Sequence, residues 1–440
     1  MNFVCRRVAD GVYVLYSSSD IGFDGGLLMK VLHVQGTDTS VGGGSIAMLR
    51  LQDGLRKAGA HSRVLCIKPT LPESVAFPHI RGEGRIQAIT SRLGLNEFHC
   101  LGSFKIPTLT AFTEADLLHL HCLHGGFVHP LVLPRLTRTK PAIYSLHDMW
   151  PMTGHCVHSF DCERWKTGCG RCPYLDMPDA IQRDASWLEW RMKEWSYRHS
   201  DVTFVVPSNW LYGMAKESIL NRCDVKKIPY GVDTEEYRPL DQLMSRSVLG
   251  LPRGKKVLLY VMRKMNTNRG TAHIKGTDLL MQTFQHMPAS IKKEMVLLLV
   301  GEGGDGMARE AGVDAVALGY VASDRLKAIL YSAADIFLFP SRAENLPLVL
   351  MESFACGTPA VAFNVGGIPD LVRPGQTGLL AEPENTKQLA EGIVQLLEDE
   401  GLRRTLRARS REIAVTEYGL SLYVERHLAL YHEVLDRAAA

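Results

Sequence analysis

Short apolar runs, each closed by a polar or turn residue, recur along the chain at 30–35, 61–68, 117–122, 142–148 and 202–208. Runs of this length suit strands covered on both faces. Helical stretches separate them, and strands alternating with helices predict a doubly wound parallel sheet whose strand ends line one crevice. A second series follows at 253–262, 295–304, 317–321 and 335–341. Between the two series, Gly231-Val232-Asp233 and Pro239 mark an exposed connection. The expected fold class is α/β, with two doubly wound, Rossmann-like domains. Residues 29–230 form the first, 231–250 the linker and 251–416 the second. Leu420, Tyr423, Val424, Leu428, Tyr431, Val434 and Leu435 follow helical spacing and predict a final helix within 417–440. Residues 1–28 are expected to be an unstructured extension, because a natural first strand begins after them.

The densest pattern lies at 335–370, which reads strand, acidic turn, helix, strand, glycine loop. Pro347 suits the first turn of a helix, where its missing N–H is no loss. The helix is therefore expected to begin near Asn345 or Leu346. Glu344 then lies in the turn and Glu352 about a turn and a half into the helix. A helix N-terminus favours phosphate, and carboxylates accept from paired hydroxyls. A diphosphate held between two polyols, as in a nucleotide sugar, meets both conditions. Read the other way, Glu344 and Glu352 are solvated surface residues. Upstream, Gly42, Gly43 and Gly44 open a helix running to about Ala58. They let backbone approach a ligand, or form a plain turn; the spacing is neither a Walker loop nor a dinucleotide fingerprint.

The run Glu344-Asn345-Leu346-Pro347, then Glu352, ACGTPAVAFNVGGIPDLV and GQTGLLAEP resembles the retaining family-four glycosyltransferases of GT-B fold. The resemblance extends over most of 30–435. It implies two domains facing a cleft, the last helix crossing back to the first domain. It also implies a nucleotide-sugar donor, linked to UDP or GDP, and a glycan or lipid-linked acceptor. Glu352 would hold the donor ribose, Glu344 the transferred sugar, and His147 in SLHDMWPMTG would stand near that sugar. Asn345 and Leu346 belong to the same donor motif, Gly43 and Gly44 would pack on the diphosphate, and Gly303 in GEGG would border the base. With no Asp-x-Asp pair to hold a metal, cations must neutralise the leaving phosphates. Lys275 in IKGTD matches the family's lysine, and Arg263 is preferred to Arg269 as the arginine. Retention would proceed by front-side attack with the departing phosphate as base, and no cofactor is required.

Four of the 10 cysteines, Cys156, Cys162, Cys169 and Cys172, fall in the insertion 153–175, with His155 and His158 interleaved. The Cys169-x-x-Cys172 gap is that of a zinc knuckle, whereas the gap from Cys156 to Cys162 is wider. Structural zinc and unliganded thiols stand as two readings; a reducing compartment disfavours disulfides. A similar stretch recurs in transferases of the colanic-acid type, which extends the expectation to bacterial surface polysaccharide synthesis.

Composition changes little. A net charge of +3 on 440 residues gives no nucleic-acid footprint. No apolar run reaches the ~18–20 residues of a membrane span, so a cytoplasmic protein is expected. Trp187, Trp190 and Trp195, interleaved with basic residues, allow peripheral contact with the inner membrane face, although packing into the domain is the commoner outcome. Two rival functions remain: a nucleotide-sugar epimerase or hydrolase of the same fold, and a non-catalytic zinc-containing binding module.

Overall fold

Most of the apolar runs become strands that stop one to three residues early, leaving their polar ends outside the sheet; the run at 253–262 instead becomes a strand that ends two residues later than expected. A computed structural model describes residues 3–8, 12–17, 29–177, 179–264 and 274–440. Within the stretch expected to be unstructured, β1 (Phe3–Val8) and β2 (Val12–Ser17) pair antiparallel. This corrects the expectation for those residues: two strand-forming segments close in sequence satisfy each other's backbone. The hairpin joins neither of the larger sheets.

The first large sheet comprises β3 (Lys30–Val34), β4 (His61–Cys66), β5 (Val75–Ala76), β6 (Leu117–Leu120), β7 (Ala142–Ser145), β8 (Val202–Val206) and β9 (Asp224–Lys227). Its order is β5-β4-β3-β6-β7-β8-β9, all parallel. The second comprises β10 (Lys256–Lys264), β11 (Met295–Glu302), β12 (Ala315–Leu318), β13 (Ile336–Phe339), β14 (Ala360–Phe363) and β15 (Gly378–Ala381). Its order is β12-β11-β10-β13-β14-β15, again all parallel. Each is a Rossmann-like sheet, as expected. Strand order reverses between β3 and β6 and between β10 and β13, and at such points the diverging loops leave a crevice. Every residue of β6, β7, β8 and β13 is buried, which explains their largely apolar character; the polar members His119, Ser145 and Thr203 are hydrogen-bonded.

Two chain crossings link the halves at one place. Val232 N–H donates to Tyr418 O (2.8 Å) and Leu420 N–H donates to Val232 O (2.9 Å). The last helix, Leu420–Ala439, packs on the helix Gly43–Lys57 and sends Tyr431 against His119 (2.6 Å). One apolar cluster therefore runs from Val31 and Leu51 through Tyr431 to Val257 and Leu350. Among the described residues, no helix is long and apolar enough to cross a membrane.

Candidate active site

The second sheet's reversal point carries a strand–turn–helix unit. β13 ends at Phe339, the turn holds Glu344 and Asn345, and the helix spans Leu348–Ala355. That start corrects the expected one: Pro347 is the N-cap, and a residue preceding proline, here Leu346, is driven out of the helical region. Leu346 itself is buried in the apolar core. Beneath the turn lies the glycine pair that follows β14. A Cβ on Gly366, whose φ is 54°, would stand 1.9 Å from Glu344 O, and one on Gly367 would stand 1.8 Å from Asn345 O. The glycines exist so that backbone can lie on backbone. Gly367 N–H donates to Glu344 O (3.1 Å), pinning the acidic turn.

Both glutamates are paired. Glu344 forms an ion pair with Lys275, which stands just before the helix Thr277–Gln285, on the other side of the reversal point. Glu352, 3% exposed, accepts from Arg50 Nη2 at 2.6 Å and from the Tyr331 hydroxyl at 3.2 Å. Arg50 belongs to the helix Gly43–Lys57, so this ion pair crosses from one domain to the other.

The opposite wall is built from the ends of β3, β6 and β7. At Gly44, a Cβ would lie 3.0 Å from His147 Cγ and 3.1 Å from Cys122 Sγ, so this glycine admits the His147 ring. Gly43 has open space where its Cβ would be. His147 is held at both nitrogens, Nε2 to His121 Nδ1 (3.1 Å) and Nδ1 to the Tyr230 hydroxyl (2.7 Å). His121 Nε2 in turn meets His33 Nδ1 at 2.9 Å. His119 is fixed separately between Tyr431 and Ser145. Burial pulls His33 down to about 3 and His147 to about 4, and holds His119 and His121 well below their ordinary range. The chain of rings is therefore neutral near pH 7. His124 is the exception: burial opposes its charge, but Asp148 at 3.0 Å and Asp179 at 2.6 Å outweigh burial and hold it protonated.

Asn345 links the walls. Its Nδ2 donates to His147 O (3.0 Å) and its Oδ1 accepts from the Ser208 hydroxyl (2.7 Å). The structure thus brings together Glu344, Lys275, Asn345, Glu352, His147 and Gly44. Gly303 caps the helix Gly304–Glu310 at the end of β11, at a φ of 83°. Arg263, near the end of β10, is exposed, its guanidinium 6.0 Å from the centroid of the Tyr320 ring. Arg269 lies outside the described residues. In the cysteine-rich segment, His155, Cys156 and Cys172 place ligand atoms within 4.8 Å of one another, and Cys162 and Cys169 line the same small cavity. Sequence reasoning missed Arg50 and Ser208, whose partners lie across the cleft, and Tyr230, whose partner His147 lies on the same wall, and passed over His155 as a member of the sulfur cluster.

Two Rossmann-like sheets facing one cleft, with a paired acidic strand–turn–helix unit on one wall and a glycine-opened helix on the other, define the GT-B class. A family model described as "Glycosyl transferases group 1" matches residues 243–413, and one described as "Glycosyltransferase Family 4" matches 41–236. The chain is 34% identical over 354 residues, 76% of each protein, to a D-inositol 3-phosphate glycosyltransferase 1 of Catenulispora acidiphila. It is 27% identical over 241 residues to an N-acetyl-alpha-D-glucosaminyl L-malate synthase of Bacillus anthracis, covering 54% of this chain and 60% of that one. Among solved structures, sucrose-phosphate synthase from Thermosynechococcus elongatus has the same fold (TM-score 0.69, 20% identity, 94% of this chain and 100% of that one). So does Anabaena HepE, solved with UDP-glucose (TM-score 0.62, 17% identity, 92% and 100%). The chain belongs to the group 1 glycosyltransferase family.

Proposed function

We propose that the protein transfers a sugar from a UDP- or GDP-linked donor to a glycan or lipid-linked acceptor with retention of configuration, in bacterial surface polysaccharide synthesis. The observation that carries this reading is the convergence of Glu344, Lys275 and Glu352 on one strand–turn–helix unit, at the reversal point where such sheets bind ligands. In this reading Glu352 takes the ribose hydroxyls, and Lys275 with Arg263 or Arg269 takes the diphosphate. Glu344 positions the sugar, and His147 closes its other face as a neutral, hydrogen-bonding ring. Gly43 and Gly44 allow the first helix to approach the phosphates, and Gly303 leaves room beside the base. With no side chain assigned as nucleophile, the departing phosphate serves as base for front-side attack. Exclusion of water by the two walls limits donor hydrolysis.

The relatives favour a second acceptor class. Inositol phosphate and malate, in their names, are small, anionic and hydroxylated, and an acceptor of that kind would suit the same cleft. Peripheral membrane contact draws only on Trp187 and Trp195, which are exposed, while Trp190 is buried and donates to Trp165 O (2.9 Å).

The test is calorimetric titration of the wild type and of Glu352→Ala with UDP- and GDP-sugars, followed by anomeric analysis of product by NMR. Binding of one donor that the variant loses, and a product keeping the donor's configuration, is expected. Binding of no nucleotide sugar removes the catalytic reading. Turnover of the donor without an acceptor favours the hydrolase or epimerase.

A further inference from the structure

We propose that His155, Cys156, Cys169 and Cys172 bind one zinc ion, which organises the long segment between β7 and the helix Ser186–Arg198. From Leu146 to Ala185 the described residues form no strand and no α-helix, only 3₁₀ turns at Trp150–Met152 and Arg164–Lys166. A segment of that length inside a domain needs something other than a backbone ladder to order it.

The ligand atoms are already gathered. His155 Nε2 lies 3.3 Å from Cys172 Sγ and 3.5 Å from Cys156 Sγ. Around tetrahedral zinc, with Zn–S about 2.3 Å and Zn–N about 2.0–2.1 Å, an N···S edge measures about 3.6 Å. Two edges of the tetrahedron thus stand near the length that zinc imposes. The tautomer also fits. His155 Nδ1 lies 3.1 Å from Asp179 O, and a carbonyl only accepts, so Nδ1 carries the proton and Nε2 turns its lone pair toward the sulfurs. A ligating histidine held by a backbone carbonyl is a common outer shell of zinc sites.

Two of the three sulfurs accept a backbone N–H. Gly154 N–H donates to Cys169 Sγ (3.2 Å) and Tyr174 N–H donates to Cys172 Sγ (3.4 Å). Such donors stabilise negative charge on sulfur. Cys169 and Cys172 have the two-residue spacing of zinc sites, and Gly170 (φ 126°) and Arg171 (φ 50°) fold the chain back between them. Gly154, His155 and the four cysteines border a cavity of about 20 Å³, room for a single particle of water size. A donor set of thiolates and one imidazole selects zinc over the hard cations. Cys162 and Cys169 both line the cavity outside the tight group formed by His155, Cys156 and Cys172; the spacing of Cys169 to Cys172 and its bond from Gly154 N–H assign it as the fourth ligand, and Cys162 as a bystander.

The site reaches the cleft through two links. Asp179, whose carbonyl orients His155, places its carboxylate on His124, and His124 spans to Asp148 beside His147. A zinc ion here fixes the wall that carries His147 without entering the reaction.

The test uses the full chain purified without a metal-affinity resin. Elemental analysis is expected to give about one zinc per chain, and Co²⁺ in its place the visible absorption of a tetrahedral thiolate site. Cys172→Ser and Cys169→Ser are expected to lose the metal and Cys162→Ser to keep it. Should a variant fail to fold, the wild type still decides. Cys156, Cys169 and Cys172 should resist alkylation until a strong chelator removes zinc, then react. A metal-free native protein whose thiols alkylate freely, or a Cys156–Cys172 disulfide in non-reducing mass spectrometry, overturns the proposal. Loss of zinc from Cys162→Ser with retention in Cys169→Ser overturns the choice of fourth ligand.

Discussion

The Arg50–Glu352 pair is the contact whose removal says most about the cleft. The two side chains are 12% and 5% exposed, so neither charge is rescued by solvent when its partner is lost. Glu352→Ala leaves the Arg50 guanidinium buried and deprives the Tyr331 hydroxyl of its acceptor. Breaking one side of a buried pair destabilises by about 3–5 kcal/mol. Arg50→Met should destabilise less, because Glu352 keeps the Tyr331 hydroxyl as a donor. The double variant should be more stable than the sum of the singles implies, by about 1.5–3 kcal/mol, since it leaves no stranded charge. Equilibrium urea unfolding of the four proteins measures this cycle. If the two substitutions add to within about 0.5 kcal/mol, the pair is not coupled and the reasoning fails.

The same four proteins test the donor site. Each carboxylate oxygen can accept twice, so Arg50 and Tyr331 leave Glu352 with acceptor capacity for a ribose diol. Arg50 then orients the carboxylate, and Arg50→Met should weaken donor binding by about tenfold, or ~1.4 kcal/mol. An increase in affinity would show that Arg50 obstructs the ribose instead. Without this control, loss of binding in Glu352→Ala could reflect a loosened domain contact as much as a lost hydrogen bond.

Other expectations follow from the same geometry. The buried imidazoles are neutral in the fold, His33 with its value near about 3 and His147 near about 4, whereas unfolded histidine protonates near 6.5. Below pH 6.5 the unfolded state binds more protons, so stability should fall as pH drops from 6.5 toward 4. At about 1.4 kcal/mol per unit the sum is several kcal/mol, read as a urea midpoint that declines over that window; a flat midpoint would contradict the burial argument. Gly367→Ala sets a Cβ 1.8 Å from Asn345 O and 2.8 Å from Ser208 Cβ, and should lower both Tm and kcat as the acidic turn is displaced. Unchanged values would mean that the turn is free to move. Lys275→Met strips Glu344 of its ion partner and should lower kcat about 100- to 1000-fold while circular dichroism stays native. A loss under tenfold would move the phosphate-facing cation to Arg263 or Arg269.

Much of this was legible because the fold's signals are local. Four-residue apolar runs such as Ile336–Phe339 mark buried parallel strands, and the glycines after β14 mark a close approach, each visible in one window of sequence. The helix start was misplaced because Pro347 was weighed as a first-turn residue, whereas its hold on Leu346 decides the geometry. The pairing of β1 and β2 left little local trace, because FVCRRV carries two arginines and a register between two short segments shows only when they meet. Contacts between distant elements left no such trace. Arg50 sits mid-helix among residues of ordinary helical spacing, and nothing near it announces a carboxylate about three hundred positions later. His33 was hidden for a related reason: a polar residue inside a strand is usually noise, and its meaning depends on His121, just past the end of the neighbouring strand.

Several of the contacts that local reading missed cross between the domains and fall on one unit, and this bears on how the cleft works. Arg50 reaches Glu352, Ser208 and the His147 carbonyl reach Asn345, and Asn209 reaches Asp370 just past the glycine pair (2.6 Å). Each crosses from the first domain to the segment between β13 and the turn after β14, the same segment to which the donor is assigned. A ligand bound there competes with, or reinforces, the bonds that hold the walls together. Donor binding and domain contact are then one equilibrium, in which a substitution at any of these positions shifts both. Gly366 and Gly367 keep that coupling stiff, because the turn lying on them cannot yield to one wall without moving against the other.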